Sequence, residues 1–173
     1  YGLSEQLQEP KEVCQKYIEE WLAVFPGIVN HIERSHGDIQ RLGYVETILG
    51  WRRYLPAGKL EHWDSPDRHE RDGEFHKAMR AGYNAIIQGS AADAMKCALI
   101  KIHFDKELRQ RGFVPCMTVH DEGLGFAPKE EAEWCLKRCC ELATDPLAMF
   151  GVELPVKITA SGGFGPNWYE AKD

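Results

Sequence analysis

No stretch of the sequence approaches the ~20 consecutive apolar residues of a membrane span, and nothing in it reads as a signal peptide. A membrane protein is therefore not expected. The six cysteines, Cys14, Cys97, Cys116, Cys135, Cys139 and Cys140, include no C-x-x-C spacing. That removes the usual dithiol and zinc-ribbon signatures, and the expectation is of reduced thiols in the cytoplasm. Cys135 and Cys139 stand four apart and share one helix face, which suits either a zinc pair or two small buried hydrophobes. Basic charge is also short. Lys and Arg number 21 against 27 Asp and Glu, a net charge of -6, whereas a nucleic-acid surface is usually basic. The acidic balance does not close that class, because a site for cations needs carboxylates. Local clusters such as Arg52-Arg53, and Lys77 with Arg80, can still face phosphate. Internal repeats and low-complexity segments are absent too. The chain starts at Tyr1 rather than Met, which points to processing or to a piece of something longer.

What is present describes one α+β domain, mostly helical with a small antiparallel sheet. An apolar fraction of 43% and an aromatic fraction of 10% are ordinary for a packed protein of 173 residues and argue against disorder. Val13, Tyr17, Ile18, Trp21, Leu22 and Phe25 recur at helical spacing until Pro26-Gly27 stops them. A second helix then runs to about Gly43, making a helical hairpin. Tyr44 to Ile48 alternates as a short strand, and Leu49-Gly50 turns it. Residues 56–73 read as a polar, mobile surface loop. From about Glu74 to Arg111 the pattern is helical, with an interruption expected at Gly89, Ser90 as the cap of the second piece, and Gly112 as the stop. Ala91, Ala92 and Ala94 let a neighbour approach closely. Strands are expected at Val114–Val119 and Gly123–Phe126 around a turn of His120, Asp121 and Glu122. A helix from Lys129 to about Ala143 and a returning strand at Val156–Thr159 complete the layout.

Three features carry chemistry. Asp121 and Glu122 are adjacent carboxylates on a hairpin turn, aimed at nearly one point. Hard cations such as Mg2+ take oxygen ligands and commonly only one or two protein carboxylates, so the turn suits one half of a two-metal phosphoryl-transfer site. Turns also favour Asp and Glu for conformational reasons alone. Arg80, Asn84 and Gln88 stand four apart and share a helix face, which suits backbone and minor-groove contacts or plain solvation. Arg52-Arg53 follow a Gly turn, where they meet phosphate or cap a loop.

Taken together these segments resemble DNA polymerases of family A, over nearly the full length. Tyr1-Gly2-Leu3-Ser4 is similar to the end of that family's long fingers helix. Tyr17 through Pro26-Gly27 is similar to its KYxxxxxxxFPG stretch. Gly43 to Thr47, with Gly50, Arg52-Arg53 and Leu55-Pro56, is similar to GYVETxxGRRRxLP. Asn84-Ala85 with Gln88 to Asp93 and Lys96 is similar to NxxxQGTAADxxK. Val119-His120-Asp121-Glu122 matches the third catalytic motif, and Asn167-Trp168 matches the family's C-terminal end.

The resemblance implies roles. Asp121 would hold the catalytic Mg2+ ions, with Glu122 assisting. His120 would contact the primer terminus or order the turn. Arg80 and Gln88 would touch the primer–template minor groove, Asn84 the template side, and Arg52 and Arg53 the DNA backbone. Tyr1 would pack beside the nascent base pair. The partners implied are primer–template DNA and a dNTP, in a bacterial or phage-infected cell. Residues 1–111 would form fingers and palm helices with a short hairpin, and 112–173 the palm with its catalytic turn. Trp51 in place of a basic residue, a long 56–73 loop and Gly123 after the catalytic turn are departures that point to a divergent, phage-like member. The family's first catalytic motif, with its other essential Asp, precedes the segment matched here, as do the Lys and Arg that bind triphosphate. Asp38, Asp64 and Asp93 do not lie in that motif's context. The expectation is an isolated chain that is inactive until the upstream polymerase region, in the same or a separate chain, completes it. The rival class is a non-catalytic DNA- or protein-binding module derived from a polymerase. A one-metal nuclease finds no second acidic cluster.

Overall fold

A computed structural model describes residues 2–63, 68 and 72–172. They pack as two units, Tyr1–Ile87 and Gln88–Asp173. The boundary lies inside a helix, upstream of the 111/112 division that the resemblance implies.

In the first unit, α1 (Gly2–Leu7) leads into α2 (Lys11–Val24) and α3 (Pro26–Leu42). One proline does two jobs. Pro26 cannot continue α2, and it sits in the first turn of α3, where its missing N–H costs nothing. Gly43 closes α3 at φ +74, donating its N–H to Ile39 at 2.8 Å. That left-handed stop turns the chain directly into β1 (Tyr44–Glu46), which pairs antiparallel with β2 (Arg52–Tyr54), Val45 opposite Arg53. Ile39, Val45, Leu55, Phe75, Ala78 and Met79 form the core. A Cβ on Gly58 or Gly82 would collide with Ile39, so both glycines are there for close approach.

The stretch read as a surface loop is partly structured. Pro56–Gly58 and Leu60–His62 are two 3-10 turns. Trp63 packs on the core while its indole N–H reaches the Ala57 carbonyl at 3.2 Å. The rest of that loop, apart from 68, 72 and 73, lies outside the described residues.

The long helix α4 (Gly73–Phe104) runs through Gly89 without a break. A helical Gly costs only about 1 kcal/mol relative to Ala. Strong helix formers on both sides, Ala85 before it and Ala91, Ala92, Ala94 and Met95 after it, outweigh that. Ser90 is therefore not a cap. The break falls at Asp105, whose carboxylate accepts the Leu108 N–H at 2.8 Å and caps α5 (Lys106–Gln110). Gly112 stops α5 as expected, at φ +79. Phe113 donates to Leu108 and Gly112 donates to Arg109, both at 3.0 Å, the paired bonds of a Schellman motif.

In the second unit, β3 (Val114–Val119) and β4 (Glu122–Phe126) form an antiparallel hairpin. Pro115 and Met117 pair with Gly125 and Leu124, so Cys116 is the extra residue of a bulge. A strand proline is tolerated at such a place. α6 (Ala132–Ala143) follows a 3-10 turn at Lys129–Glu131. Arg138 on α6 grips Asp105 at 2.8 Å and ties α6 to the head of α5. Burial alone pushes the Asp105 carboxyl up, but the Leu108 amide and the Arg138 guanidinium outweigh it and hold the carboxyl below the usual range.

The returning strand expected at Val156–Thr159 does not form. Only two two-stranded sheets occur among the described residues. Ile158 spends its backbone groups on Asp145 instead. Its carbonyl accepts the Asp145 N–H, and its N–H donates to the Asp145 carboxylate, both at 3.0 Å.

Candidate active site

The site grows from the β3–β4 hairpin. Val119 pairs with Glu122, so the connecting turn holds two residues, His120 and Asp121. Glu122 opens β4 and is not in the turn itself. His120 takes φ +55, and Asp121 stays at negative φ. A two-residue hairpin loop with positive φ in it follows the strand twist. A non-glycine residue there is uncommon, and Asn, Asp and His are the types that enter that region most readily. The turn puts the Asp121 carboxylate out in solvent.

Glu122 is half-exposed and already has a cation. Lys172 Nζ lies 2.9 Å from its carboxylate and 5.1 Å from the centre of the Trp168 ring. The C-terminal segment therefore folds back to the hairpin. Beside this pair runs a groove of about 520 Å³, floored by Met95, Leu99, Gly123 and Leu136 and edged by Asp121 and Trp168. Sequence reasoning noted Trp168 as an end marker but missed Lys172, because a contact across 50 residues leaves no local signal.

The other predicted residues fall as follows. Arg80, Asn84 and Gln88 are each exposed on α4. Arg80 and Asn84 belong to the first unit, and Gln88 belongs with His120, Asp121 and Glu122 to the second. Arg52 is engaged, bonded to Glu46 at 2.8 Å and stacked 4.6 Å over Tyr44. The Glu46 hydrogen bond, helped by Tyr54, raises its pKa further. Arg53 is exposed, with no ion pair among the described residues. Tyr1 lies outside the described residues.

Comparison with known proteins decides the family. The sequence model of DNA polymerase family A matches residues 1–170. The chain belongs to DNA polymerase family A. Over 99% of its length it is 34% identical to DNA polymerase I of Geobacillus stearothermophilus, covering 18% of that protein. It is also 34% identical to the thermostable DNA polymerase I of Thermus aquaticus, covering 19%. The chain thus spans less than a fifth of the relatives it matches. Its fold is similar to the polymerase domain of Pol1 from M. smegmatis, solved with DNA primer–template and dNTP. The TM-score is 0.80 at 31% identity, over 99% of this chain and 28% of that one.

For a family A site the donor chemistry fits a divalent ion in part. Asp121 and Glu122 offer hard oxygen ligands side by side. No group of three His, Cys, Asp or Glu able to hold a metal ion exists among the described residues. The cysteines point elsewhere. Burial, reinforced by Cys135 and Cys140, pushes the Cys139 thiol up to about 12. It raises Cys135 as well. Cys135 is buried and Cys139 half-buried, and among the described residues no third possible ligand joins them to make a metal site. No described helix is long and apolar enough to cross a membrane.

Proposed function

We propose that this chain supplies the C-terminal fingers and palm elements of a template-directed DNA polymerase acting on primer–template DNA and dNTPs in the cytoplasm. Residues 1–111 contribute fingers and palm helices, and 112–173 the palm with its catalytic turn. The observation that carries this reading is the solvent-facing Asp121 carboxylate on a two-residue turn, with Glu122 beside it. Mg2+, when bound, would neutralise the charge that develops as a primer 3′-hydroxyl attacks the α-phosphate and pyrophosphate leaves. Asp121 would be its principal ligand here and Glu122 the auxiliary one. His120 orders the turn or meets the primer terminus. Arg80 and Gln88 hold the minor groove, Asn84 the template side, and Arg52 and Arg53 the sugar–phosphate backbone. Tyr1 packs beside the new base pair. A second essential carboxylate comes from an upstream polymerase region, so the isolated chain binds DNA without extending it.

Primer extension tests the assignment. In the complete polymerase Asp121→Ala removes nearly all synthesis while leaving DNA affinity within a few-fold. Full activity of that variant sinks the metal assignment. Robust dNTP incorporation by the isolated chain sinks the claim that it is half a site.

A further inference from the structure

The segment that folds back to the β3–β4 hairpin is built to deliver one cation. Asn167 opens a turn with its side chain. Its amide nitrogen donates to the Glu170 carboxylate at 2.6 Å, and its amide oxygen accepts the Glu170 N–H at 3.1 Å. The backbone closes the turn: Ala171 donates to the Asn167 carbonyl at 3.1 Å, and Lys172 to the Tyr169 carbonyl at 3.3 Å. Two glycines let the preceding chain lie tightly against it. A Cβ on Gly163 would run into the Ala171 carbonyl, and one on Gly165 would come within 2.9 Å of the Glu170 backbone. The ammonium held by this turn lies 5.1 Å from the centre of the Trp168 ring and 2.9 Å from the Glu122 carboxylate. That carboxylate is the one assigned above as the auxiliary metal ligand.

An ammonium and a divalent cation make the same demand on Glu122, and their like charges oppose sharing it. The existing pair is exchangeable. The Lys172 side chain is 52% exposed and that of Glu122 44%, so solvent screens the pair, and such pairs hold weakly. We infer that the 167–172 turn is a displaceable latch on the metal site, in which Lys172 counters Glu122 and a divalent cation competes for its place. This rests on the polymerase reading above, since it supposes that Asp121 and Glu122 hold a metal ion. Displacement frees Lys172 from Glu122 and changes the surroundings of Trp168 at the edge of the groove.

Two titrations of the full chain test it: Mn2+ followed by electron paramagnetic resonance, and Mg2+ followed by tryptophan fluorescence. Lys172→Gln tightens Mn2+ binding by about two- to fivefold, and Lys172→Arg keeps the parent affinity. Lys16→Gln on α2 changes the net charge equally and leaves Mn2+ binding unchanged. Mg2+ alters the tryptophan emission of the parent, and both Trp168→Phe and Lys172→Gln abolish that response. Asp121→Ala loses the ion. Unchanged or weaker Mn2+ binding in Lys172→Gln, with binding still lost in Asp121→Ala, overturns the latch and leaves the metal assignment standing. An emission response that survives Trp168→Phe overturns the latch too, because the response then arises elsewhere. Mn2+ that binds neither the parent nor Lys172→Gln also overturns it, since Lys172 then has no ion to contest. Mn2+ binding indifferent to Asp121→Ala overturns the metal assignment and the latch together.

Discussion

Gly123 and Gly125 lie two apart on β4, yet replacing them should have opposite consequences. A Cβ built on Gly123 meets Leu99 and Met95 at 3.8 Å, ordinary contact, and its φ is not in the left-handed region. Glycine inside a strand costs about 0.5–1 kcal/mol relative to alanine. A branched side chain there also gains a cross-strand pair with Thr118, worth about 0.2–1 kcal/mol, and covers part of the groove floor. Gly123→Val should therefore stabilise the chain by about 1–2 kcal/mol. For a chain of this size that raises the unfolding midpoint by about 4 °C. At Gly125 a Cβ runs into the Phe113 ring and comes 3.0 Å from the Val114 carbonyl oxygen. The backbone oxygen cannot yield, so Gly125→Ala should destabilise by about 1–3 kcal/mol. Urea and thermal unfolding followed by circular dichroism read both. A Gly123→Val that unfolds earlier than the parent, or a neutral Gly125→Ala, refutes the packing described for this hairpin.

Other expectations follow from single contacts. Asp105→Ala removes the α5 cap and should lower stability by about 1 kcal/mol. Because the Asp105 carboxyl is held below its unfolded value, its contribution is complete above the unfolded pKa and is lost as pH falls through the folded one. The Asp105→Ala penalty, measured by urea midpoints, should accordingly shrink in acid; a penalty that grows on acidification contradicts the pairing. Lys172 occupies Glu122, so Lys172→Ala should strengthen Mn2+ binding by about two- to fivefold in an electron paramagnetic resonance titration, and weaker binding would mean that Lys172 supports the site rather than competing for it. With a thiol reagent at pH 8, exposed Cys116 should react first and the buried Cys97 and Cys135 last; fast labelling of Cys135 in the Cys116→Ser variant would contradict its burial on α6.

How much of this was legible depended on sequence distance. The α2–α3 hairpin, the Gly112 stop and the β3–β4 pairing are written in neighbouring residues: apolar spacing, a proline, a glycine at positive φ, alternating strands. The continuity of α4 was not, because a single glycine penalty competes with alanine and methionine around it, and the sum decides. The Asp105 break was available, since Asp is a favoured cap, but Gly89 was the louder signal. Trp63 reads as part of a polar loop until Phe75 and Ala57 are known to be its neighbours. The strand at Val156–Thr159 has a strand-like composition, but composition supplies no partner, and Asp145 took its backbone groups. At the site, the carboxylate turn was plain, whereas the Lys172 cation on Glu122 depends on the chain's fold and on nothing local.

The β3–β4 ladder has a further consequence for handling the chain. A sheet of two strands has an open edge on either side. Val114, Met117 and Phe126 are each at least half exposed on it. Unpaired N–H and C=O groups beside apolar side chains are a template for any strand that meets them. The same hairpin that offers Asp121 to solvent therefore sets a concentration limit. As protein concentration rises, strand addition between copies should compete with the monomer, and the pool of chains able to present the carboxylate turn should fall.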